Sequence, residues 1–295
     1  MELRQLRYLV ALADERHFTR AAARCHVAQP ALSQQIGKLE RELGLALFDR
    51  TTRSVTLTEA GALLCVRARR VLAELDDAAE ELQQLSGLLA GRVTIGLTTT
   101  PGPLHLPRLI AGFHARHPQV ELVVREGLSA LLAEQLRGDA LDLAFLSLVA
   151  PDDDVRGLEL TEFAREPLVV ALPPDHRFAG RRRLTIADLR AEELVAFPAG
   201  ATIREAVRRA ALDAGFEPRV AFETSEVARA RAFVAEGLGV AVLPRSDAAA
   251  PGPPVHVAEL RAPQLVHRIS IAHRNGKRHA PAAAALLELA RTAAA

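Results

Sequence analysis

Phe18 to Lys38 read FTRAAARCHVAQPALSQQIGK, and this stretch decides the fold of the first part of the chain. It predicts two short helices around a tight corner. Thr19 is expected to cap the first helix, Ala21, Ala22 and Ala23 give that helix a small packing surface, and His26-Val27-Ala28 make the corner. Pro30 falls in the first turn of the second helix, where a missing N–H costs little. Leu32, Ile36, Leu39 and Leu43 then recur at helical spacing and form one apolar face. The opposite face carries Pro30, Gln34, Gly37, Lys38 and Arg41, with Gln29 at the helix start and Ser33 on the flank. Small residues and polar donors on an exposed helix face suit the DNA major groove, where Gln and Ser read base edges and Lys or Arg holds phosphate. Periodicity alone fits an ordinary helical bundle equally well. The residues just beyond the second helix favour DNA: Leu47 to Leu57 reads as a short β-ribbon with a basic tip, Arg50 and Arg53, placed as a wing beside the helix pair.

Working outward, Thr58 is expected to cap a long helix from Glu59 to about Ser86, with Glu59 favourable to its dipole. Leu64, Ala68, Val71, Leu75, Ala78, Leu82 and Leu85 alternate spacings of four and three, a heptad seam that predicts a dimerisation helix. Such a two-fold protein reads two half-sites. The alternative is a helix packed wholly on its own domain. Gly87 and Gly91 bound a hinge.

From Arg92 the pattern changes to alternating strands and helices, with strands at Val93–Leu97, Val120–Val124 and Leu141–Leu146. That rhythm predicts a parallel sheet covered by helices. A second unit with strands at Leu168–Leu172, Leu194–Phe197, Val220–Glu223 and Val240–Leu243 starts near Phe163, and the chain returns through His267–Ile271 to a final helix near Pro281–Arg291. The fold class is therefore α/β: a helix-rich N-terminal domain over 1–58, a linker helix over 59–88, and a two-unit α/β domain over 89–295. Ligands in open α/β sheets sit beyond the C-terminal strand ends, where helix N-termini offer free N–H groups. Thr98 and Thr100 end the first strand of that domain, and Ser129 and Thr202 each open a helix. Singly each reads as a helix cap; together they mark a candidate ligand cleft. Gly237-Leu238-Gly239 reads as a helix C-cap and strand entry rather than part of a dinucleotide motif.

Bulk numbers set limits. Size allows two or three domains in 295 residues, and a net charge of +1 gives no argument for nucleic acid. Residues 1–58 hold nine basic residues against six acidic ones, a mild excess, so the case rests on placement. The two cysteines, Cys25 and Cys65, fit a reducing cytoplasm and read as small packed residues. Met1-Glu2-Leu3-Arg4 runs straight into a polar helix, so no secretion signal is expected, and no apolar run is long enough to span a bilayer. The ten histidines show no metal-ligand spacing, and neither a metal nor a cofactor is expected.

The run from Leu3 to Gly61, LRQLRYLVALADERHFTRAAARCHVAQPALSQQIGKLERELGLALFDRTTRSVTLTEAG, resembles the winged helix-turn-helix of LysR-type transcriptional regulators, and the remainder follows the same plan. The resemblance implies a ligand-responsive transcription factor, not an enzyme. It implies a dimer of dimers on double-stranded DNA at an interrupted inverted repeat, a small-molecule effector between two lobes joined by two crossovers (lobe I about 92–162 and 268–295, lobe II about 163–267), and contact with RNA polymerase. Its effector contacts map onto Thr100, Ser129 and Thr202, and Thr98 joins the candidate effector site; the candidate DNA-binding residues are Gln29, Pro30, Ser33, Gln34, Lys38, Arg50 and Arg53, and the candidate dimerisation residues Leu64, Val71, Leu75 and Leu82. Departures are visible. Ala28 stands where the family has a capping Ser, and Gln34 and Gly37 stand where a basic residue is common. No arginine occupies the neighbourhood of Ser147, where a family member's pocket arginine would fall, so Arg204 is the candidate substitute. Peroxide-sensing members carry their reactive cysteine pair in the C-terminal domain; with no cysteine after Cys65, that mechanism is not expected here. Two rival classes remain: a solute-binding protein, which needs a secretion signal, and an enzyme, which needs a nucleophile–base or metal constellation.

Overall fold

The computed structural model describes residues 1–50, 55–84, 89–100, 106–149, 154–262 and 265–294. The chain divides into two compact units, one of residues 1–88 with 138–140, the other of residues 89–137 and 141–295.

The first unit runs α1 (Leu3–Glu15), α2 (Phe18–Arg24), α3 (Gln29–Leu43), β1 (Phe48–Arg50), β2 (Val55–Leu57) and α4 (Glu59–Gln84). Apolar residues at helical spacing converge in one core, where Leu9, Leu12, Ala21, Leu32, Ile36 and Leu39 are fully buried. Leu43, expected on that face, lies at its edge and is 39% exposed. Helix α2 starts two residues earlier than expected, because His17 rather than Thr19 caps it: His17 Nδ1 accepts from the Thr19 N–H at 3.2 Å. His26 takes a left-handed conformation (φ 53°) and makes the corner. Ala28 leaves α3 without a side-chain cap, as its methyl group dictates, and Pro30 fills the first turn. Strands β1 and β2 form an antiparallel ribbon with Phe48 opposite Leu57. The Thr58 hydroxyl accepts from the Gly61 N–H at 3.0 Å, the expected cap of α4. Gly61 itself sits against the wing: a Cβ there would lie 1.9 Å from the Leu47 carbonyl oxygen.

The second unit runs β3 (Gly91–Thr98), α5 (Leu106–Arg116), β4 (Val120–Gly127), α6 (Ser129–Arg137), β5 (Leu143–Leu148), β6 (Leu158–Leu172), β7 (Arg183–Leu184), a 3-10 turn (Ile186–Leu189), β8 (Glu193–Ala196), α7 (Thr202–Asp213), β9 (Arg219–Glu223), α8 (Val227–Ala235), β10 (Ala241–Pro244), α9 (Arg245–Ala249), β11 (His256–Leu260), β12 (Val266–Arg274) and α10 (Pro281–Ala294). Lobe I is a sheet in the order β4-β3-β5-β12-β6; β3 pairs parallel with β4 and β5, but β12 pairs antiparallel with β5 and β6. The parallel arrangement expected from the βαβαβ rhythm holds for β3, β4 and β5, and the returning strand β12, entering from the opposite end, makes the sheet as a whole mixed. Its core gathers Val93, Ile95, Phe113, Phe145, Ile269, Ile271 and Leu286.

Strand β6 is much longer than the expected Leu168–Leu172. Its first ten residues, 158–167, pair with β12 in lobe I, and its last five pair with β10 and β11 in lobe II. One continuous strand therefore serves as the first crossover, and the chain is back in lobe I at β12, paired with β5 and β6. Lobe II wraps α7, α8 and the short sheets around Val169, Val170, Leu172, Val195, Ile203 and Val234. The pair β8–β9 is parallel and joins β10 through a bridge between Leu194 and Val240. Helix α9 and strand β11, both unexpected, flank the Pro- and Gly-rich residues 250–255. No helix among the described residues is long and apolar enough to cross a membrane.

Candidate functional site: the exposed helix face and the interlobe cleft

Two surfaces carry polar groups that the fold does not need for its core. The first is the outer face of α3. Gln29, Pro30, Gln34 and Lys38 are exposed and Ser33 is half-buried, so all five open onto one side of the helix. Lys38 Nζ lies 3.1 Å from Glu2 Oε1 at the start of α1. The hydrogen bond and charge of Lys38 hold the Glu2 carboxyl below the usual range. Arg50 ends β1, though its side chain lies outside what is described, and Arg53 falls outside the described residues altogether. Elsewhere in the first unit Asp14 of α1 binds Arg24 of α2 at 2.9 Å and Arg69 of α4 at 2.5 Å, which ties the three helices to one another.

Helix α4 changes character along its length. Leu64 and Ala68 pack against the core of the first unit, whereas Val71, Leu75 and Leu82 are 44, 41 and 69% exposed. The seam runs off its own domain and continues as an apolar stripe in solvent. At about 1.5 Å per residue the 26-residue helix is about 39 Å long. Both thiols lie in this unit; burial pushes each of them up, although Arg24 beside Cys25 and Arg69 beside Cys65 act in the opposite direction.

The second surface is a cavity of about 200 Å³ in the second unit, between lobe I and lobe II. Its wall includes Ser129 and Ala130 at the start of α6, Ser147 of β5, and Gly200, Thr202, Glu205 and Arg209 at and beyond the start of α7. The expected hydroxyls do meet, but they meet one another. Ser129 Oγ accepts from the Ser147 N–H at 2.9 Å and reaches Thr98 Oγ1 at 3.4 Å. Thr202 Oγ1 donates to the Ser147 carbonyl at 3.1 Å, a direct bond from lobe II to lobe I. Thr100 is buried and is not part of the cavity wall.

Arg204 does not face this cavity. Its guanidinium donates to the Phe197 carbonyl at 2.9 Å and pairs with Glu223, and it lines a separate cavity of about 210 Å³ within lobe II. The position near Ser147 is filled differently. Ser147 Oγ is 2.9 Å from Nε2 of His267, 120 residues further along the chain, and both side chains are buried. Glu166 stands opposite His267 on β6, with its Oε1 3.7 Å from Nδ1. Glu166 also accepts from the N–H and hydroxyl of Ser246, and Asp247 lies beside it on α9. Burial raises the Glu166 carboxyl, but the imidazole and the Ser246 donors more than offset this and leave it below the usual range. Burial, followed by the Glu166 charge, pushes Asp247 up to about 6.

His267 and Ser147 carry a signal in the sequence. Ser147 interrupts the otherwise apolar Leu143–Leu148, and the period-2 pattern through Ile269 and Ile271 puts His267 on the same inward side. Nothing in a linear reading joins the two.

A helix-turn-helix with a ribbon wing and an exposed polar recognition face, carried in one chain with a two-lobed α/β domain that holds an interlobe cavity, defines a regulator that couples DNA to a small molecule. Residues 3–62 match the family described as bacterial regulatory helix-turn-helix protein, lysR family, and residues 86–295 match the LysR substrate binding domain. The DNA-binding transcriptional dual regulator OxyR of Escherichia coli is 38% identical over 244 residues, covering 83% of this chain and 79% of its own. A full-length OxyR variant from Pseudomonas aeruginosa superposes with a TM-score of 0.74 at 32% identity, covering 100% of this chain and 94% of that one. Full-length CbnR complexed with its target DNA superposes with a TM-score of 0.65 at 27% identity, over 99% and 100% of the two chains. The chain belongs to the LysR family of transcriptional regulators.

Proposed function

We propose that the protein is a cytoplasmic regulator that binds an interrupted inverted repeat as a dimer of dimers, contacts RNA polymerase, and responds to a small effector in the interlobe cavity. Its role is regulatory rather than catalytic. The observation that carries this reading is the outer face of α3, where Gln29, Ser33, Gln34 and Lys38 are free of the core. CbnR is seen on its target DNA, and a similar use of α3 here would put Gln29, Ser33 and Gln34 on base edges and Lys38 on phosphate. Arg50 and Arg53 would approach the backbone or minor groove. The exposed stripe of Val71, Leu75 and Leu82 supplies a seam for a second copy, with Leu64 at its packed end.

Effector binding would work by linkage. A molecule that prefers one lobe arrangement shifts the equilibrium between arrangements and so the spacing of paired DNA-binding units. Ser129 and Thr202 reach the occupant, with Thr98 behind Ser129; Thr100 belongs to the supporting layer. A peroxide response through a cysteine pair in the C-terminal domain has no support here. Cys25 and Cys65 both lie in the first unit with thiols raised by burial, and the cavity offers hydroxyls.

The test is selection of bound sequences from a random duplex pool, followed by sedimentation of the double variant Leu75→Glu, Leu82→Glu. The expected result is a two-fold interrupted repeat bound by wild type, and a variant that sediments as a monomer and loses the repeat. A variant that remains dimeric would remove the stripe from the interface.

A further inference from the structure

The buried chain Ser147–His267–Glu166–Asp247 is more than the fold requires. It begins in the wall of the interlobe cavity, passes through β12 and β6 at the two crossovers, and ends on α9 in lobe II. Four polar side chains in a dry interior are costly unless their donors and acceptors are matched. They are matched only in part: His267 Nδ1 and Asp247 Oδ2 are buried without a hydrogen-bond partner. This inference rests on the cavity being the effector site.

We propose that the cavity takes a small carboxylate together with one proton, and that His267, a positioning residue behind Ser147, is where the proton is held. In the empty site the neutral imidazole keeps its hydrogen on Nδ1, facing the Glu166 carboxylate, and Nε2 accepts the Ser147 O–H. A bound anion draws that O–H to itself. Ser147 Oγ then serves as acceptor toward His267, which needs a second hydrogen on Nε2, and solvent supplies it. The imidazolium is balanced by Glu166, so each anion bound brings in one proton and no net charge enters the interior.

The surroundings favour an anion. The N-terminal ends of α6 and α7, both of which end at the cavity, present the positive ends of their dipoles. Arg209 is in the wall. The two carboxylates there are engaged, Glu205 with the Gly200 N–H at 3.0 Å, and Asp154 with Arg156 and Arg137, each at 3.1 Å. The groups facing His267 among the described residues are Glu166 from β6, Asp247 from α9 and the Ser147 hydroxyl from β5. Arg165 and Arg268 stand opposite each other on the other side of the sheet, with Arg165 bound to Glu162. Burial and the Glu166 charge push the Asp247 carboxyl up to about 6, so from pH 7 upward it is mostly ionised and does not compete for the single proton.

The experiment is calorimetric titration of the full chain with acetate, isobutyrate and benzoate, each beside its primary amide, from pH 7 to pH 9 in two buffers of different ionisation enthalpy. Wild type, His267→Gln and the cleft-filling variant Ala130→Trp are compared. The expected result is carboxylate binding that weakens tenfold per pH unit with one proton taken up, weaker and pH-independent amide binding, and loss of both proton uptake and pH dependence in His267→Gln. Wild-type binding without proton uptake, amides that bind as tightly as acids, or failure of every acid to bind overturns the proton-coupled anion site and leaves the cavity as the effector site. Carboxylate binding unchanged in Ala130→Trp overturns the cavity itself and this inference with it. Proton uptake is read on wild type, so the result stands even where His267→Gln folds poorly.

Discussion

The outer face of α3 and the interlobe cavity handle polar groups in opposite ways. On α3, Gln29, Gln34 and Lys38 reach into solvent, and apart from the Lys38–Glu2 pair no side-chain bond to another described residue holds them. In the cavity, Ser129, Ser147 and Thr202 are already bound to one another, and the chain of bonds continues through His267 into the crossovers. An open face binds a rigid, highly charged partner with little rearrangement. A closed, self-satisfied site can bind only by exchanging its own bonds for those of the ligand, which makes it a sensor of which ligand is present.

The strongest test of that contrast is whether the open face needs its scaffold. Gly61→Ala puts a methyl group where the Leu47 carbonyl oxygen would be 1.9 Å away, and the nearby clash is with backbone. The wing and α4 cannot both keep their places, and the expected cost is about 3 kcal/mol or more. DNA binding should be lost while the second unit keeps its own melting transition. Scanning calorimetry with a binding assay reads both; normal DNA affinity in Gly61→Ala would break the comparison at its first term.

The closed region yields the next largest effect. Asp247 titrates at about 6 in the folded chain against 3.8 when unperturbed. A raised carboxyl contributes most below pH 3.8, loses that contribution as pH rises to about 6, and carries the full cost above. Asp247→Asn removes the titration, so the variant should gain stability over wild type through that window, by up to about 3 kcal/mol at pH 7 and little near pH 4. Denaturant melts at the two pH values measure this. An equal difference at both would show that the carboxyl is not buried against Glu166. His279, which burial followed by the neighbouring His273 pushes down to about 4, acts with the opposite sign: it costs nothing above pH 6.5, stability is lost as pH falls from 6.5 toward 4, and the full cost is carried below. The two windows overlap, so the variant and not the wild-type profile isolates Asp247.

On α3 the effects are smaller and of two kinds. Gln34→Ala should relax preference at particular base pairs by about 1–3 kcal/mol. Lys38→Ala should weaken binding to all sequences and lower the salt slope by about one unit. Anisotropy titrations on the selected site and on a scrambled duplex at several salt concentrations separate the two. If both variants lose affinity uniformly, Gln34 does not read bases.

Legibility follows the same division. The α3 face can be read because its residues are close in sequence, and helical spacing alone puts Leu32, Ile36 and Leu39 inward and Gln34 and Lys38 outward. Sequence misplaces the cap of α2 because an imidazole at His17 competes with Thr19 as acceptor for the same turn. In lobe II, the short helix α9 and strand β11 escape because the Ala- and Pro-rich sequence around them has no clear period. The crossover reads as too short because β6 is amphipathic where it serves lobe I and continuously apolar where it serves lobe II. The hydroxyls at Ser129 and Thr202 are legible as helix starts, but their partner is not. Ser147, His267 and Glu166 come from three strands far apart in the chain, and only the sheet register brings them together. The lack of an arginine near Ser147 suggests Arg204 as the substitute, whereas its position along α7 turns it toward Phe197 and Glu223.

The smallest expected effect tests the closed site most directly. Thr202→Val keeps the side chain's shape and deletes the hydroxyl that bonds lobe II to the Ser147 carbonyl. A carbonyl has a second lone pair, so the loss should be only about 0.5–1.5 kcal/mol. Ser129→Ala differs in kind. It removes the acceptor of the buried Ser147 N–H, and an orphaned donor costs about 1–3 kcal/mol. The order of the two variants is therefore predicted as well as their size, with Ser129→Ala the less stable. Thr202→Val releases a contact between lobes, so amide exchange should speed up along the start of α7 and at β5 while the lobe cores keep their protection. Ser129→Ala acts within lobe I, between β5 and α6, so its exchange effect should centre on β5 and the start of α6. Hydrogen exchange read by mass spectrometry at peptide resolution distinguishes these patterns. Equal protection in Thr202→Val and wild type would mean that the lobes are held by packing alone, and the cavity would then be no more closed to a ligand than α3 is to DNA.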